Sequence, residues 1–246
     1  MSITIRRAFG GVLAGLLLVS VSVAGCEEGR QSMAPSSSPD AAQAQTSIQP
    51  SDIDPDSRSR LPIVERDSLN ELGQRLFDKT TEDVQTGRSL AGFQGPNGMV
   101  LHSPRVAEHD QLKNDYLRFE SPVGRRHYEL AVLVTARELD QQFEWTAHEP
   151  AALRAGLEPA VIDIVKYRRP IEGLQPKDAS IIQLGRELIG GRSVESGTLA
   201  EALRLFGAPD LIDVVSVMGH YSAIAALLNA FDQQLALGQE PLLPAR

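Results

Sequence analysis

Sulfur is scarce in this 246-residue chain: four methionines and one cysteine, Cys26. A single thiol excludes an intrachain disulfide. Everything C-terminal of residue 26 has neither a thiolate metal ligand nor a cysteine nucleophile. Basic charge is short as well, with 24 Lys and Arg against 32 Asp and Glu for a net charge of −8. Binding nucleic acid needs a basic face, so no such partner is expected. The chain also lacks a Gly-rich phosphate loop, a His-Glu-x-x-His zinc helix and a Gly-x-Ser-x-Gly elbow, and no internal repeat is visible. His102 and His109 stand seven apart without a third ligand nearby, which reads as surface or core histidines. Neither a metal nor a cofactor is expected.

What is present begins with an export pattern. Arg6 and Arg7 precede an apolar run from Ala8 to Val19, and small residues lead on to Gly25. Val23-Ala24-Gly25-Cys26 resembles the bacterial lipobox, in which the cysteine is lipidated and becomes the mature N-terminus. The other reading is an ordinary secretory signal with a chance cysteine. On the lipobox reading, residues 1–25 are a signal peptide and Cys26 anchors the protein to a membrane of the bacterial cell envelope. Residues 26–62, rich in Ser, Pro, Gln and Ala, bury too little apolar surface to offset chain entropy, so they read as a disordered tether. Such a tether spans roughly 35 Å on average.

From residue 63 to 246 the length suffices for one domain with its own core, and the periodicity is helical throughout. Leu69, Leu72, Leu76 and Phe77 follow Ser68, a candidate cap, and Ser103-Pro104 opens another helix running towards Phe119. Short helices are expected over 159–168 and 176–189, and a third from a Thr198 cap to Gly207. Pro209 then starts a long helix to about Leu237. Asp213 and His220 interrupt its apolar run, which marks a core helix rather than a membrane span.

The central stretch, 123–156, reads as two helices folded back on each other. Between Tyr128 and Ala136 the first is apolar nearly all round, as a buried helix is. Asp140 is a candidate cap for the second, which stops at Gly156. Folding near residues 139 and 140 brings Glu129 towards His148 across helix axes about 8–10 Å apart. Glu144 and His148, at i and i+4, share a face. An acid–histidine–acid cluster between two helices is the result.

This stretch resembles the carboxymuconolactone decarboxylase family, which includes the alkylhydroperoxidase D-like proteins. Its members carry a glutamate on one helix and a Cys-x-x-Cys followed by His on the next. With Glu129 on that glutamate, His148 meets the motif histidine without a gap, and the cysteine positions fall on Gln141 and Glu144. Glu144-Trp145-Thr146-Ala147-His148 is similar to the thiol-free Glu-Trp-x-x-His branch. The resemblance runs from about Ser68 to Leu237 and takes in Tyr116-Leu117-Arg118-Phe119-Glu120. It implies an all-α, alkylhydroperoxidase D-like helical bundle with a central antiparallel hairpin, assembled as a trimer or hexamer.

The chemistry expected of such a site is proton transfer. His148 is the general acid/base and Glu144 or Glu129 orients it or relays a proton. Arg137 or Arg126 holds an anionic substrate, and Trp145, His220 and Tyr221 complete the substrate-binding set. Decarboxylation of a small carboxylate or lactone fits these parts. Thiol peroxidase activity is not expected without a cysteine. Two alternatives stand beside this reading. One is a buried ion-pair network that only fixes the hairpin. The other is a non-catalytic, lipid-anchored ligand-binding or interaction protein on the same scaffold.

Overall fold

A computed structural model of the chain describes residues 52–244. The expected signal peptide, Cys26 and most of the expected tether lie outside them. The described residues form α1 (Glu71–Gln85), α2 (Pro96–Val100), α3 (Pro104–Asp115), α4 (Arg125–Glu138), α5 (Gln142–Arg154), α6 (Pro159–Lys166), α7 (Pro176–Gly185) and α8 (Ser196–Ala230), with no strand among them. π-Helical turns extend α3 through Tyr116–Glu120 and α7 through Arg186–Gly191.

Helix α4 is the axis of the bundle. Every residue from Tyr128 to Arg137 is buried, and α5, α6, α7 and α8 all pack against it. Leu130, Val132, Leu133 and Val134 are at most 1% exposed, and burying each aliphatic side chain contributes about 1.5–3 kcal/mol before entropy is counted. The α4–α7 contact is close because residue 185 is glycine: a Cβ there would lie 2.2 Å from Val134 Cγ1.

The helix ends show where local signals were read one step off. Asn70, not Ser68, caps α1 by accepting from the Gly73 N–H at 2.9 Å. Gln141 caps α5, accepting from the Phe143 N–H at 3.0 Å. Asp140, expected in that role, sits at φ 49° in the turn and accepts instead from Arg137. The helix expected to end at Gly207 and the long helix starting at Pro209 both form, broken from each other at Gly207 (φ 71°, ψ 167°), and together they make up α8. Thr198 lies inside it and donates to Glu187. By length and composition α8 could cross a membrane, yet half of its most apolar window is buried inside the fold. It ends at Ala230, earlier than expected.

Residues 52–62, placed in the tether by composition, pack on the domain. Arg60 N–H donates to the Phe231 carbonyl and Gln234 N–H to the Arg58 carbonyl, both at 2.8 Å. Ile53, Ser57 and Ser59 are buried. The reason is non-local: backbone pairing with residues 231–235 orders a segment whose own side chains bury little.

Candidate functional site

The hairpin turn after Leu139 lays α5 along α4, and His148 meets Glu129 inside the pair. His148 Nδ1 donates to Glu129 Oε2 at 2.7 Å. The other Glu129 oxygen accepts from Arg125 at 2.6 and 2.8 Å, one turn back on α4. His148 Nε2 lies 3.4 Å from Glu144 Oε2, one turn away on α5. Glu129 is fully buried and both His148 and Glu144 nearly so.

Burial alone would pull the His148 pKa down. The Glu129 carboxylate, by charge and hydrogen bond, and then Glu144 outweigh it and hold His148 at about 8. Burial pushes the Glu129 carboxyl up, but the His148, Arg125 and Arg118 charges and the histidine hydrogen bond leave it below the usual range. At neutral pH the pair is therefore imidazolium and carboxylate, with one N–H committed to Glu129 and the other at Nε2, beside Glu144.

A cleft opens on that side. Phe143, Glu144, Ala147 and His148 form its α5 wall, His220, Tyr221 and Ile224 its α8 wall, and residues 89–92, 96 and 97 with Asn114 and Arg118 the remainder. Tyr128 OH donates to Asn114 Oδ1 at 2.7 Å, so at the 2.7 Å Tyr128–Tyr221 contact Tyr221 is the donor. The His148 and His220 rings each meet Tyr221 edge-on, with centroids 5.0 and 5.4 Å away. Burial lowers the His220 pKa and raises that of Tyr221. Both are neutral at pH 7 beside a charged His148.

Of the residues singled out from the sequence, His148, Glu144, His220 and Tyr221 come together in the cleft, with Glu129 directly behind them. Arg137, Arg126 and Trp145 do not. Arg137 is eight residues beyond Glu129, about 12 Å along the helix, and turns to Asp140 at the hairpin. Arg126 is rotated about 100° from Arg125 and grips Asp178 with both nitrogens, at 2.7 and 2.8 Å, together with Glu158. Trp145 is wholly buried in the main core and donates to Glu149.

Sequence reasoning missed the arginine that does line the cleft. Arg118 sits in the π-helical turn after α3. Buried Leu117 fixes this turn to the core, and Tyr116 and Ser121 fix it to α8 by donating to Asp213 at 2.9 and 2.6 Å. Such turns are frequent at functional sites, but nothing in five residues announces one. Asn114, in the last turn of α3, was missed as well.

No protein-family model matches the sequence, and no curated protein matches it. Among solved structures, the chain is similar to a crystal structure of the alkylhydroperoxidase AhpD core, an uncharacterized peroxidase-related protein from Ralstonia eutropha JMP134. The TM-score is 0.57 at 16% identity, over 75% of this chain and 98% of that one. At that identity the likeness defines the fold alone: an all-α bundle of the AhpD-core kind, as the resemblance implied.

Proposed function

We propose that this protein is a cofactor-free proton-transfer enzyme acting on a small carboxylate or lactone, with decarboxylation as the reaction class. One observation carries the reading: a buried histidine, held protonated by Glu129 at Nδ1, has its second nitrogen beside Glu144 in the wall of a cleft. When the C–CO₂ bond of a bound acid breaks, CO₂ departs and the electron pair passes onto the remaining fragment as an enolate. The Nε2 proton of His148 then goes to the enolate carbon, leaving neutral imidazole that solvent reprotonates. Glu129 keeps the Nδ1 proton in place and favours the cationic form, and Glu144 directs the Nε2 proton.

The test is CO₂ release from a panel of small lactone acids and 3-oxo acids in deuterated water. The expected result is release with one solvent deuteron on the product carbon, and a fall in kcat of roughly 100-fold or more in His148→Gln. Equal rates in wild type and His148→Gln would overturn the proposal. Thiol peroxidase activity is not part of it, because no cysteine follows Cys26. Sustained hydroperoxide turnover by the domain would argue for a different chemistry. We further propose that the domain is exported and lipid-anchored at Cys26 and works as a homo-oligomer. Cys26→Ala is expected to move it from the membrane to the soluble fraction, and light scattering reads its mass.

A further inference from the structure

The cleft beside His148 continues into a second hollow between α1 and α3, and Arg118, Asn97, Asn114 and His220 line both. Arg118 is the cation at the junction. Its Nε is buried without a hydrogen-bond partner, and the guanidinium makes no hydrogen bond or salt bridge among the described residues. Its contacts are the Phe119 ring, 5.2 Å from Cζ, and the field it exerts on Glu129, Tyr128 and Tyr221. The neighbouring acids Asp83 and Asp115 are satisfied by Lys79 and Arg88, while Asp110 also lines the second hollow without bonding Arg118. A partly buried guanidinium left with an unmatched N–H is costly in a folded protein, and the cost falls when a carboxylate completes it.

We propose that Arg118 is the specificity-determining residue of the cleft, the group that selects anionic over neutral molecules for the His148 site. This rests on the proton-transfer reading for what happens next, but the selection itself is a binding property. A carboxylate at Arg118 places the rest of a small molecule in the chamber that His148 and Glu144 line, since all three belong to one wall set. Where the carboxylate held by Arg118 is not the one lost as CO₂, its charge persists through the reaction and the interaction acts on ground state and transition state alike. It therefore appears in KM more than in kcat.

The probe is benzoate, with benzamide as its neutral counterpart, titrated calorimetrically at fixed pH into wild type, Arg118→Gln, Arg118→Lys and His148→Gln. Benzoate is expected to bind the wild type and to weaken roughly tenfold or more in Arg118→Gln, as loss of a charge-assisted hydrogen bond implies. Arg118→Lys should fall between them, and benzamide should bind wild type and Arg118→Gln equally poorly. Benzoate binding should survive in His148→Gln. Equal benzoate affinity in Arg118→Gln, benzamide binding as well as benzoate, or no saturable benzoate binding to the wild type would each overturn the proposal. So would an Arg118→Gln variant that only shifts the His148 titration by NMR and keeps benzoate. Benzoate binding that depends on Arg118, in a protein without turnover, would sink the proton-transfer reading and leave this assignment standing.

Discussion

Arg125 and Arg126 are adjacent on α4, and each completes a cluster of the same three side-chain types. Arg125 joins Glu129 and His148. Arg126 joins Asp178, near which His127 Nε2 lies at 3.4 Å. In both, the carboxylate is almost fully buried and its pKa is held down, Asp178 to about 2. The difference is what remains to the histidine. His127 spends Nδ1 on the Val123 carbonyl and turns Nε2 towards Asp178, so its ring is fully engaged in tying α4 to α7. His148 spends Nδ1 on Glu129, and its Nε2, although it also has a carboxylate oxygen at 3.4 Å in Glu144, lies in the wall of a cleft. Identical parts make a clasp in one place and a candidate proton donor in the other, and the cavity decides between them.

The comparison can be broken first at its most buried member. Glu129→Ala leaves a buried imidazole and guanidinium without their carboxylate, and unfolding in urea should show a loss of about 3–5 kcal/mol. The corresponding change in the clasp, Asp178→Ala, is expected to cost less, about 1.5–3 kcal/mol and towards the low end, because Arg126 keeps Glu158 and solvent. If the clasp variant proves the more damaging, the hairpin pair is not the dominant polar tie of the bundle.

The pH dependence separates the two clusters further. His148 has a folded pKa of about 8, above its ordinary value of 6.5. Its contribution is therefore fully present below about pH 6.5 and is lost as pH rises through 8, amounting to about 2 kcal/mol. Asp178 works in the opposite sense: its folded pKa is lowered from 3.8 to about 2, so its contribution holds above 3.8 and is lost as pH falls through 2. Urea melts should show the alkaline loss in wild type and not in His148→Gln. An alkaline loss that persists in His148→Gln would assign it elsewhere. The smallest change is expected for Glu158→Gln at the exposed rim of the clasp, with no measurable shift in the unfolding midpoint. A clear destabilisation there would show that Arg126 depends on both carboxylates.

The sequence made the hairpin legible because helical spacing alone carries Glu129, Glu144 and His148 to one place. A nineteen-residue separation with a turn in the middle leaves little freedom. It also marked the core of α4 through an unbroken apolar run. Arg137 and Arg126 were misplaced even though counting along α4 gives their offset from Glu129, because the count does not reveal the partners, Asp140 and Asp178, that hold them elsewhere. Arg118 was out of reach altogether, because its position depends on a π-helical turn and on anchors at Asp213, ninety-odd residues later. Residues 52–62 were read as tether because their order comes from backbone bonds to a distant segment, which composition does not record.

Those backbone bonds have a mechanical consequence. The chain enters the described domain beside the stretch that follows α8, and the Arg60–Phe231 and Arg58–Gln234 bonds run in antiparallel sense. A pull on the chain upstream of Asp52 loads that pairing, with the Arg58 and Gln233 side-chain bonds, before any force reaches the helices. The segment would act as a strain relief: it can peel one bond at a time while α4 and α5, and the His148 cleft between them and α8, stay in register.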